Sequence, residues 1–159
     1  MSVLITAASD SAAFRLARLF SEKILYFGSI EEIPNFGDTK FIKIPSAKSP
    51  SFAHELLKIC LDNHINEVYP LVFDEIVELS ASRVLFDEFN IKIIIPSINY
   101  INLELLKYPH ILVNLLVLIN GVIVAGEIPP NNCLPFQEEN GVFQWEFIDK
   151  EVKFSLFTV

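Results

Sequence analysis

The apolar positions of this chain change period several times, and each change marks an element. Val3, Leu4 and Ile5 form a short continuous apolar run, the pattern of a strand buried on both faces of a parallel sheet. Thr6 to Ser11 is small and polar. From Ala12 the apolar positions Phe14, Leu16, Ala17, Leu19 and Phe20 recur at helical spacing, and Ser9, Asp10 or Ser11 can cap that helix. Lys23 to Phe27 predicts a second strand and Lys40 to Ile44 a third, with a loop punctuated by Pro34 and Gly37 between them. Ser49 before Pro50 predicts the cap of a helix reaching about Asn63, with Phe52, Leu56, Leu57, Ile59 and Cys60 inward. Asn66 to Val72 then reads as a strand, Asp74 to Phe89 as an amphipathic helix, and Ile91 to Ile95 as a strand stopped by Pro96.

Alternating units of this size predict an α/β fold: a Rossmann-like open parallel sheet with helices on both faces. Asn102 to Ile119 predicts a further helix, which Pro109 starts or kinks, and Val122 to Ala125 a short strand. After a loop containing Pro129, Pro130, Asn131, Asn132 and Pro135, the runs Val142 to Ile148 and Val152 to Thr158 predict a hairpin. Alternation of Phe143, Trp145 and Phe147, and of Phe154 and Leu156, gives that hairpin one apolar face. The expected organisation is a main domain over 1–128 and a loop-plus-hairpin appendage over 129–159. The appendage is expected to pack on the domain or on a partner.

Composition narrows the function classes. An apolar fraction of 52% supplies a real core. The net charge of −8, with lysines and arginines scattered singly, repels phosphate backbones and anionic lipid, so neither nucleic acid nor a membrane is an expected partner. Cys60 and Cys133 form neither a disulfide framework nor a zinc spacing, and Met1 to Ala8 lacks the features of a signal peptide; the expected setting is a reducing cytoplasm. Ile111 to Ala125 falls short of the roughly 20 residues of a membrane span. It reads as a buried helix, turn and strand, or else as an exposed interface.

The run VLITAASDSAAFRLARLF (Val3 to Phe20), followed by INEVYPLVFDEIVELSASRVLFDEFNIKIIIPS (Ile65 to Ser97), resembles the N-terminal, pre-ATP-grasp domain of ATP-grasp carboxylate–amine ligases. The likeness is to the group similar to the carbamoyl-phosphate synthase large subunit, and it covers roughly residues 1–120. Its most specific parts are YPLVFDEIVELS (Tyr69 to Ser80) and the exit IIIPS (Ile93 to Ser97). In the family a helix with an Asp-Lys pair and a Gly-Pro turn follow. Here LLKYP (Leu105 to Pro109) and NGV (Asn120 to Val122) stand in those places, with Lys107 but no preceding Asp and no closing Pro. An ATP-grasp region needs roughly another 150 to 200 residues. The resemblance therefore implies a free-standing first domain, without an ATP site or other cofactor, working as a homodimer or with a separately encoded ATP-grasp subunit.

Candidate chemistry concentrates where an open α/β sheet binds ligands, beyond the carboxyl ends of its strands. The first loop there contributes Thr6, Ala7, Ser9, Asp10 and Ser11. It has no glycine to admit a pyrophosphate, so it serves as an ordinary cap and turn or as a small-ligand site. Asp74 and Glu75 open the later helix, where the helix dipole alone favours acids; the other reading is recognition of an amine or hydroxyl at the same edge. His54, His64 and His110 stand apart without the spacing of metal ligands, so no metal is expected. Cys60 reads as core filler, Cys133 has no basic neighbour to activate it, and neither a phosphate loop nor a nucleophile elbow occurs. Asp10 alone does not make the acidic cluster of a receiver-like switch. The expectation is a non-catalytic binding or accessory domain, with a small ligand- or nucleotide-binding, ligase-like enzyme, its site at the carboxyl edge of the sheet, as the alternative.

Overall fold

A computed structural model describes residues 1–104, 112–132, 134 and 137–159. The chain divides into two compact units, Met1–Ile93 with Thr158–Val159, and Ile94–Phe157.

The first unit comprises β1 (Ser2–Ile5), α1 (Ser11–Ala17), β2 (Ile24–Ser29), β3 (Lys40–Lys43), α2 (Phe52–Asp62), β4 (Glu67–Tyr69), α3 (Phe73–Ala81), α4 (Arg83–Asp87) and β5 (Lys92–Ile93). Its strands form one all-parallel sheet in the order β3-β2-β1-β4-β5. The continuous run Val3 to Ile5 is fully buried because β1 is central, flanked by β2 and β4. Helical spacing brings Ala12, Ala13 and Leu16 of α1, Phe52, Leu56, Leu57 and Cys60 of α2, and Ile76 and Leu79 of α3 into the core. Burial pushes the Cys60 thiol up to about 12, in keeping with its reading as filler.

Several boundaries differ from the sequence expectation. The helix expected from Asp74 to Phe89 is two helices, because the backbone leaves helical geometry at Ser82 (φ −108°, ψ 9°). Just before the break the Ser80 hydroxyl donates to the Val77 carbonyl (2.7 Å), local serine bonding that competes with the helical ladder. The start of α2 follows Ser51 rather than Ser49: the Ser51 hydroxyl donates to the Glu55 carboxylate, and its carbonyl accepts from the Glu55 N–H.

At the amino edge of this sheet a buried carboxylate is paired. Glu67 Oε2 accepts from Lys23 Nζ at 2.7 Å and from the Tyr69 hydroxyl at 2.9 Å. The same ammonium lies 4.6 Å from the Phe20 ring centroid. Burial, and then the charge of Glu67 with this hydrogen bond, push the Tyr69 phenol well above its ordinary value.

The second unit comprises α5 (Ile98–Glu104), β6 (Asn114–Ile119), β7 (Val122–Gly126), a short 3-10 turn at Pro130–Asn132, β8 (Gly141–Ile148) and β9 (Glu151–Leu156). Its strands make an antiparallel sheet in the order β7-β6-β8-β9, so the C-terminal hairpin is present as β8–β9. The composition shift at 129–140 falls in the connection between β7 and β8. The Ser97 N–H and hydroxyl both donate to the Glu139 carboxylate, at 2.7 and 2.5 Å.

The expected helix from Asn102 to Ile119 is corrected here: Asn114–Ile119 is a strand. Periodicity does not separate a buried strand from a buried helix in a run such as LLVLI. Asn120 and Gly121 decide it, both at positive φ (51° and 73°), forming the two-residue turn between Ile119 and Val122. A Cβ at Gly121 would lie 2.6 Å from the Glu138 amide nitrogen, so the turn needs glycine sterically as well. Leu105 to Pro109, His110, Cys133 and Phe136 lie outside the described residues. Phe147 also departs from the expected apolar face: it is exposed at the end of β8, while Phe143 and Trp145 are buried and the Trp145 indole donates to the Glu127 carbonyl at 2.9 Å.

The β8–β9 turn places Asp149 and Lys150 at φ 51° and 69°. Left-handed backbone costs a side-chain-bearing residue about 1–2 kcal/mol, and asparagine, aspartate or glycine carry it best. Lys150→Gly is therefore expected to raise stability by about 0.5–1 kcal/mol after the entropic cost of glycine. A lowered thermal midpoint would count against this turn geometry.

Candidate functional site

In the strand order β3-β2-β1-β4-β5 the chain leaves β1 toward one side of the sheet and returns at β4 on the other. The loops after β1 and β4 diverge at that switch point and open a crevice beyond the carboxyl ends of the strands. Two hydrogen bonds tie the loops at its base: the Thr6 N–H donates to the Tyr69 carbonyl (3.1 Å), and the Thr6 hydroxyl accepts from the Leu71 N–H (2.8 Å). Ala7 follows at φ 58°, and the Ala8 N–H donates to the Gly28 carbonyl (2.9 Å), which brings the end of β2 alongside. A Cβ at Gly28 would meet Ile44 at 3.1 Å, so glycine permits the close approach there.

Above these ties lies a cleft of about 370 Å³, within the range of small-ligand sites. Ala7, Ser9 and Asp10 line it from the first loop, and Val72 and Glu75 from the start of α3. Gly28 to Glu31 form another wall, completed by Ile44 and by Val159, whose N–H donates to the Leu71 carbonyl (2.8 Å).

The expected site residues separate by position. Thr6, Ala7, Ser9, Asp10 and Glu75 share one edge, Thr6 at its base and the other four on the cleft wall. Ser11 is the first residue of α1 and Asp74 is an exposed first-turn residue of α3; neither is among the residues lining the cleft. Asp10 is the N-cap of α1, its carboxylate accepting from the Ala12 N–H at 2.8 Å. The wall contributed by β2 escaped the sequence reading, which ended that strand at Phe27. The signal was the small pair Gly28-Ser29, which extends β2 to the same edge.

Glu75 is the unusual group. It is the third residue of α3, and its carboxyl accepts from the N–H of the capping residue Val72, half of a capping box, and from the Thr6 hydroxyl. The side chain is 2% exposed, and its second oxygen, Oε2, is buried without a hydrogen-bond partner. Burial pushes this carboxyl up to about 7, against the lowering effect of its two hydrogen bonds and with a small upward contribution from Asp74. A carboxyl in that range holds or gives up its proton near neutral pH.

None of the residues lining the cleft is Lys, Arg or His, and Asp10, Glu31 and Glu75 make it acidic. Ser29 is buried, and its hydroxyl accepts from the Glu31 N–H (3.2 Å). Among the described residues no three His, Cys, Asp or Glu side chains converge as metal ligands. No helix among them is long and apolar enough to cross a membrane. Comparison with protein-family models and with curated proteins finds no match for the chain.

Proposed function

We propose that this chain is a non-catalytic accessory domain that binds a small molecule in the cleft at the carboxyl edge of its parallel sheet. The observation that carries the reading is the cleft of about 370 Å³ at the switch point of the sheet, with the buried carboxyl of Glu75 among its lining residues. The resemblance to the first domain of ATP-grasp carboxylate–amine ligases supports the accessory role. In that reading the domain works in the cytoplasm, as a homodimer or beside a separately encoded ATP-grasp subunit, and takes no ATP itself.

A thermal-shift screen of the full chain against amines, polyols, amino acids, sugar phosphates and nucleotides tests it. A ligand at a hundredfold excess over its dissociation constant adds about 2.7 kcal/mol of apparent stability. Ile30→Trp, at an exposed cleft position, is expected to block the hit while leaving the free protein folded. A flat screen, or a hit indifferent to the Ile30 substitution, would remove the proposal.

The alternative is a small ligase-like enzyme in which Glu75 moves a proton, favoured by its proton affinity near neutrality. A thermal response to ATP with magnesium would favour the enzyme over the binding domain.

A further inference from the structure

We infer that Glu75 is a proton-operated latch: protonated, it holds the first turn of α3 against the loop after β1, and on losing the proton the turn lifts from Thr6 and water enters the base of the crevice. The latch operates whether or not a ligand fills the cleft.

Thr6 joins both sides of this seam. Its hydroxyl accepts from the Leu71 N–H after β4 (2.8 Å) and donates to the Glu75 carboxyl on α3. Thr6 is fully buried and Glu75 nearly so, and Glu75 Oε2 lies out of reach of solvent without a hydrogen-bond partner. Ala7, the next residue of the loop, is held at φ 58°, left-handed backbone that an alanine gains by leaving.

A neutral carboxyl is tolerated in this enclosure; an ionised one is a buried charge with nothing to compensate it. The charged side chains bearing on it are all acidic: Asp74 beside it on α3, Asp10 after β1 and Glu31 after β2. Ile44, Val72 and Val159 bring no side-chain charge, and no Lys, Arg or His lines the cleft. Glu75 stands in the first turn of α3, where the helix dipole favours an anion, yet burial prevails and pushes the carboxyl up to about 7. Closure is therefore firmest below about pH 4.5 and weakens as pH rises through about 7. On release the O–H bond breaks, the electron pair stays on the carboxylate and the proton passes to solvent. Opening then lets water reach the charge.

Amide hydrogen exchange of the isotope-labelled full chain tests the latch, read by NMR from about pH 5 to about pH 8 and corrected for the intrinsic pH dependence of exchange. The reporters are the Leu71 N–H, bonded to Thr6, and the Ile76 N–H, bonded to the Val72 carbonyl in the first turn of α3. Both are expected to lose protection roughly fiftyfold across this range while staying less protected than the amides of β1 and β4. In Glu75→Gln the same two amides are expected to keep one level of protection at every pH. Reporters that do not respond to pH, or that respond equally in Glu75→Gln, would overturn the latch. So would reporters protected as strongly as β1 and β4 throughout, because release of the proton would then act only through unfolding of the whole chain.

Discussion

Glu75→Gln is expected to stabilise the folded chain increasingly as pH rises, by roughly 3 kcal/mol at about pH 8 relative to about pH 4.5. Burial pushes the folded carboxyl up to about 7, above its ordinary value of 4.5. The native state therefore holds a proton that the unfolded chain has already released. The stability linked to that proton is fully present below about pH 4.5 and is lost as pH rises through about 7. Glutamine keeps the shape of the protonated acid and does not titrate. Urea unfolding of both proteins across this range isolates the effect, because carboxylates remote from Glu75 contribute equally to the two curves. A difference that stays flat with pH would show that Glu75 is solvated or paired in the folded chain.

The second large effect is expected at the opposite edge of the sheet. Glu67 is buried, and its charge is compensated by Lys23 Nζ at 2.7 Å and by the Tyr69 hydroxyl. Lys23→Met removes the cation and leaves a buried carboxylate behind, the costly way to break such a pair. The Lys23 side chain is 24% exposed and Tyr69 still donates, so water and the phenol recover part of the loss. The expected cost is about 2 kcal/mol at neutral pH. The double variant Lys23→Met with Glu67→Gln, which removes the orphaned charge, is expected to recover about half of it. A single variant as stable as the original would mean that the ion pair contributes nothing to the fold.

The two carboxylates show how environment divides like residues. Glu67 faces a cation and a phenol and serves the fold. Glu75 has two neutral donors for its carboxyl and none for Oε2, and it opens onto a cleft.

The strand–helix alternation of the first unit was legible in the sequence because burial writes it directly. Val3 to Ile5 is apolar without interruption, as a central strand is, and Phe52, Leu56 and Cys60 recur with the helical period. Asn114–Ile119 was misread because a fully buried strand has no alternation to distinguish it from a buried helix. Its decisive signal was Asn120-Gly121, a turn defined by two positive φ angles.

The site was legible in part. Fold logic places Thr6 to Asp10 and Glu75 at one edge, and a capping residue is recognisable from its type. The difference between neighbours Asp74 and Glu75 was not legible. Both suit the helix dipole, and only the three-dimensional path of α3 turns one toward solvent and buries the other against Thr6. The contribution of Ser29 and Glu31 depends on β2 ending beside the first loop, a relation between segments that local pattern does not encode.

One carboxyl in the free protein, that of Glu75, sets the chemistry of this edge of the sheet. Carbon-13 NMR of the Glu75 side-chain carboxyl, assigned by its loss in Glu75→Gln and followed from about pH 3 to about pH 9, reads its protonation state directly. A midpoint near 7 is the predicted result, that of a buried group with an unpartnered oxygen at a ligand cleft. A midpoint near 4.5, the ordinary glutamate value, would contradict the account and remove the chemical basis for a binding site at this edge.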